Sequence, residues 1–111
     1  MWIFLNDAFL SIVSDRNDQA RLLVRARFKG DIERAFPGVR SSHTPHADYP
    51  YRAGIDRKTV AKVLSEKAAG IRYPNFKDSV TEPWREGEYL SVWSTMREAQ
   101  ERRASQTEEV G

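Results

Sequence analysis

Apolar and polar positions alternate through residues 21–28, in the run RLLVRARF. Successive side chains of a strand point to opposite faces, so Leu22, Val24, Ala26 and Phe28 share one side and Arg21, Leu23, Arg25 and Arg27 the other. Gly30 and Asp31 break the alternation. Asp31 has the short acceptor that suits a helix N-cap, and Ile32, Glu33, Arg34, Ala35 and Phe36 read as a short helix closed by Pro37 and Gly38. A helix leaving a strand folds back onto the strand's apolar side, which turns the arginines away from the core.

Upstream, Trp2–Leu5 and residues 8–13 are two apolar runs around Asn6 and Asp7. Asn and Asp tolerate left-handed backbone angles, which predicts a tight two-residue hairpin turn. The polar segment 14–20 then returns the chain into the arginine strand. Downstream, residues 39–44 and 49–55 predict a second hairpin that turns at 45–48. Tyr49, Tyr51, Ala53 and Ile55 share one face of its second arm, with Pro50, Arg52 and Gly54 on the other. Pro50 lacks a ladder donor and predicts either a sheet edge or a position where no ladder bond is donated.

Asp56 is placed to cap a helix over Arg57–Ala69, with Val60, Val63, Leu64 and Ala68 on one stripe and Gly70 as a left-handed terminator. A linker, 71–80, takes a helical turn after Pro74. The last helix starts near Thr81 and Pro83, and Tyr89, Leu90, Trp93 and Met96 form its expected buried stripe. On that reading Trp93→Ala removes a core aromatic. Residues 98–111 carry no apolar stripe and predict a frayed or disordered C-terminal tail behind a single domain, 1–97. The order β-β-β-α-β-β-α-α predicts an α+β fold, an antiparallel sheet of about five strands with the helices on one face.

Composition adds little beyond one asymmetry. A chain of 111 residues with 40% hydrophobic and 31% charged residues is that of an ordinary globular domain. The absence of cysteine excludes disulfides, thiolate metal sites and a cysteine nucleophile. The N-terminal apolar run lacks a basic leader and a cleavage site, and is too short to span a bilayer, so a cytoplasmic, soluble protein without a membrane partner is expected. Residues 21–77 hold thirteen basic and five acidic side chains, whereas 78–111 hold four and eight. A basic middle steers towards an anionic partner.

Candidate chemistry is sparse. His43, His46 and Asp48 in HTPHAD are three metal-ligand types within six positions, but Pro45 lies between the histidines in an expected turn, which favours ordinary turn residues and no metal. There is no phosphate loop and no nucleophile elbow, and Glu86 and Glu88 at a helix start serve the helix dipole. No catalytic residues and no cofactor are expected. The positive signal is Arg21, Arg25 and Arg27 at two-residue spacing, joined by Arg52 on a second strand, since guanidinium groups in a row match phosphates or carboxylates with bidentate bonds. The arginine strand itself carries no aromatic on that face, which disfavours sequence-specific reading of RNA bases. Trp84, at the entry of the last helix, is a second candidate anchor for a partner. Tyr73 and Phe76 are expected to pack over the sheet edge.

The segments WIFLNDAFLSIVSDR, LLVRARFKGDIERAFPG, ADYPYRA and YPNFKDSV, with Tyr89, Trp93 and Met96, resemble a family of small proteins from proteobacterial genomes and their phages. The likeness covers most of residues 2–96 and transfers no catalytic residue. Small phage-borne proteins include inhibitors of host machinery, anti-CRISPR proteins among them. The resemblance therefore implies an inhibitor of host machinery. Together with the lack of a catalytic constellation, the expectation is a non-catalytic protein that binds and blocks a host protein or nucleoprotein complex. The residues support an alternative, a nucleic-acid-binding domain that uses the basic sheet face. A metal-dependent enzyme around His43 and His46 is the third reading.

Overall fold

The alternating runs form strands that all pair antiparallel in one sheet. In a computed structural model, which describes residues 1–110 and side chains through residue 106, the strands are β1 (Trp2–Leu5), β2 (Ala8–Ser14), β3 (Arg21–Ala26), β4 (Ser42–His43) and β5 (Tyr51–Asp56). Their spatial order is β1-β2-β3-β5-β4. The helices are α1 (Asp31–Ala35), α2 (Arg57–Ala69) and α3 (Pro83–Val110), with a 3₁₀ turn at Lys77–Ser79. The protein is α+β, as its pattern predicts.

Two units divide the chain after Pro74. In the first, Ala8, Leu10, Ile12, Val24, Ala26 and Ile55 on one sheet face meet Ile32, Ala35, Phe36 and Val60 of the α1 and α2 segments in a single core. The expected strand faces hold for Leu22, Val24 and Ala26 and for Tyr51, Ala53 and Ile55. Phe28 lies past the end of β3 and is 39% exposed. Tyr49 lies before β5 begins and departs from its expected face, as described below.

Turn chemistry departs from expectation at three points. Leu5 pairs with Ala8, so Asn6 and Asp7 do form a two-residue turn, yet no described non-glycine residue has positive φ. Gly70 has φ −86° and is not left-handed; a side chain there would crowd the Glu66 carbonyl at 3.2 Å, which explains a glycine by space. Asp56 stands at the N-cap of α2 without a side-chain cap bond. The backbone N–H of Arg57 instead donates to the Ala20 carbonyl at 2.8 Å, and its Nε to the Gln19 carbonyl at 3.1 Å. Pro50 sits just before β5, which is an inner strand between β3 and β4; at a strand entrance its missing donor costs no ladder bond.

Asp31 is the first residue of α1 and is fully buried. Gly30 holds the cap position with φ +90°, and Arg34 folds over it so closely that a Cβ would meet its guanidinium at 2.8 Å. The Asp31 carboxylate accepts the Phe9 backbone N–H at 2.9 Å and pairs with Arg34, whose Nε donates to the Asp7 carbonyl at 2.8 Å. This pair fastens α1 to the first hairpin. Farther along α1, Glu33 Oε2 accepts both the Ser41 backbone N–H and its hydroxyl at 2.8 Å.

The second unit, from Asn75 onward, corrects two expectations. Residues 98–106 continue α3 as helix where a frayed tail was expected, because Ala, Glu, Gln and Arg favour helix and Arg97 pairs with Glu101 at 3.3 Å. Trp93 and Met96 are 58% and 64% exposed, and Leu90 is exposed too; only Tyr89 of the expected stripe is half-buried. Helical spacing puts these residues on one face without supplying anything to cover it. Among the described residues of α3 the buried one is Arg85, whose Nε donates to Glu82 at 2.8 Å.

Two outcomes are expected. Asp31→Ala leaves Arg34 and the Phe9 N–H without their shared partner and lowers unfolding free energy in urea by about 3 kcal/mol. Burial pushes the Glu33 carboxyl up, but the bonds from the Ser41 backbone and hydroxyl overcome it and hold the group below its usual 4.5. A depressed carboxyl stabilises fully above the unfolded value and loses its contribution as pH falls through the folded one. Melting curves from pH 6 down to about pH 3 should therefore show a shallower acid loss for Glu33→Gln than for wild type.

Candidate ligand-binding face of the sheet

Strand register defines the face opposite the core. One row of directly opposed residues crosses the whole sheet: Trp2, Ser11, Arg25, Arg52 and Ser42. Phe4 opposes Phe9 in the neighbouring row, and Val13, Leu23 and Gly54 form a third. Arg21 opposes Asp56 at the far end of β3. The sheet thus brings the four predicted arginines to one face, with Arg27 reached just past the end of β3. It also adds the aromatics of β1 and β2 that the β3 sequence alone lacks.

Aromatic packing on this face is specific. Phe4 stacks on Phe9 with ring centroids 4.6 Å apart, and Trp2 meets Phe9 edge-on at 6.5 Å. Trp2 remains 69% exposed. Tyr49 was expected on the core side but serves the arginines. Its buried ring lies 4.5 Å from the Arg25 guanidinium and 4.2 Å from that of Arg27. The bend before β5 carries it there, because the strand alternation that assigned its face begins only at Tyr51.

Most of the guanidinium groups are held in place. Arg25 donates to the buried Ser11 hydroxyl at 2.6 Å. Arg27 bonds the Asp48 carbonyl and carboxylate at 2.9 and 3.1 Å, and the Asp48 bond raises its already high pKa. Arg21 lies across Gly54 and donates to its carbonyl; a Cβ there would meet the guanidinium at 2.9 Å. Arg52 faces Arg25 directly. Like charges directly opposite on a sheet repel, and the Nε atoms of both residues are buried without a hydrogen-bond partner.

The remaining candidates lie elsewhere. Trp84 is 45% exposed, but its Nε1 donates to Glu82 at 3.2 Å and the Arg85 guanidinium lies 4.6 Å from its ring. Phe76 stacks on Tyr89 at 5.8 Å within the second unit, and Tyr73 lines a groove of the first with Ile3, Leu5, Val63 and Leu64. His43 stacks on Tyr51 at 4.7 Å, and Asp48 is taken by Arg27. Among the described residues no group of three His, Cys, Asp or Glu side chains is placed to hold a metal ion, and no helix is long and apolar enough to cross a membrane. No family model, curated protein or solved structure matches the chain.

Tyr49→Leu keeps an apolar side chain in place while removing the ring under both guanidinium groups. Thermal unfolding should report a loss of about 1–2 kcal/mol, from two cation–π contacts and the poorer fit. Tyr49→Phe should retain most of that stability.

Proposed function

We propose that the chain is a non-catalytic binding module that holds a single-stranded nucleic acid on the arginine-bearing face of its sheet. The observation that carries this reading is the opposition of Arg25 and Arg52, each with a buried, unpartnered Nε, in the same row as exposed Trp2. An anion over the two guanidinium groups relieves their repulsion. A phosphate does this in a nucleic acid, and the exposed indole two strands away in the same row offers a stacking surface for a base. Stacking and phosphate contact tolerate any base, so the binding is not sequence-specific.

A protein partner is the second reading. It is favoured by the anchoring of Arg25 and Arg27 on Tyr49, because a rigid pair of cations also suits the carboxylates of a folded surface. In that form the module occupies and blocks a host protein or nucleoprotein complex.

Fluorescence anisotropy with mixed-sequence single-stranded RNA and DNA, at two ionic strengths, tests the first reading. Binding should weaken with salt, and Arg52→Gln should lower the logarithmic salt slope by about 0.7, the value of one lost phosphate contact. Trp2→Ala should cost about 1–3 kcal/mol of affinity while leaving the melting temperature unchanged. Absence of binding at physiological salt, with a protein captured from nuclease-treated bacterial lysate through Arg25 and Arg52, overturns the nucleic-acid reading in favour of the second.

A further inference from the structure

The α3 helix presents a problem of burial within the second unit. Between residues 87 and 106 only Tyr89 and Ala99 are half-buried, and the rest are exposed. Isolated helices are marginal in water, and long ones gain most of their stability by burying an apolar face. Here that face exists: Val92, Trp93 and Met96 are 40%, 58% and 64% exposed. Tyr89, Trp93, Met96, Gln100 and Arg103 recur at alternating steps of four and three residues, the spacing of a coiled-coil seam.

We propose that this face pairs with the same face of a second copy of the chain, antiparallel, with Trp93 of each copy against Met96 of the other. Charge selects the occupant and the direction. In that register Tyr89 faces Gln100 of the second copy, and Glu86 falls beside the second copy's Arg103. The two-fold axis repeats each contact. A parallel pair would instead set Glu86 against Glu86 and Arg103 against Arg103. The central contact joins a thioether to an indole, a favourable pairing, and the Arg97 guanidinium 5.5 Å from the Trp93 ring flanks it. Glu86 near the start of the helix and Arg103 near its end give this face opposite charges at its two ends, so the face is complementary to its own reverse. This pairing does not depend on what the sheet face binds.

Sedimentation equilibrium of the full chain over a wide concentration range tests it. Wild type should associate reversibly to twice the monomer mass. Trp93→Ala with Met96→Ala should be monomeric, with the circular dichroism of the sheet domain retained. Glu86→Lys and Arg103→Glu should each weaken the dimer by about tenfold, because the two-fold axis removes the pair twice, and the two substitutions together should restore it. A wild-type monomer at every concentration overturns the proposal. So does a dimer indifferent to Trp93 and Met96, or a charge swap that fails to restore association.

Discussion

The buried carboxylate of Asp31 is the constraint on which the first unit depends. It stands at the start of a five-residue helix, too short to hold itself together by its own hydrogen bonds. What keeps that helix is a bond to the β2 backbone at Phe9 and a charge partner, Arg34, that also reaches the hairpin turn at Asp7. Burying one carboxylate is costly unless its lone pairs are met, and here Phe9 and Arg34 meet them. The helix is thereby pinned over the apolar side of the sheet. Ile32, Ala35 and Phe36 can then close the core, and the opposite side is left for the arginines.

That division of faces explains why the arginine side tolerates so much charge. Its cations rest on aromatic and backbone groups: Arg25 and Arg27 on Tyr49, and Arg21 along Gly54. Each thereby loses conformational freedom. Only Arg25 against Arg52 remains an electrostatic conflict, and it lies in the middle of the row that crosses all five strands.

The sheet was legible from residue pattern because β3 and β5 keep a period of two and β1 and β2 are apolar runs around a turn. Leu22, Val24 and Ala26 announce their side, and Arg21 and Arg25 the other. The two-residue turn at Asn6 and Asp7 was legible for the same reason, since apolar runs flank it closely. Tyr49 was misassigned because alternation cannot be carried past a strand's end. The aromatics that share the arginine face were missed because Trp2 and Phe9 belong to other strands, and register is a long-range fact. A count from the turn, which pairs Leu5 with Ala8 and so Trp2 with Ser11, could have found them. The last helix failed differently. Trp93 and Met96 do share a face, but a shared face is evidence of burial only where something lies against it. Arg85, buried beside Glu82, carried no signal in the pattern at all.

The two-residue strand β4 has a consequence for how these molecules behave when crowded. A sheet's outer strand exposes a ladder on which another chain can polymerise, and proteins that avoid fibrils blunt it. Ser42 and His43 offer a ladder too brief to template a foreign strand, and Pro45 follows two positions later with no amide hydrogen to give. On that side the sheet ends in a stub. Growth by edge-to-edge addition is discouraged there by length alone, without any charged guard residue in the strand.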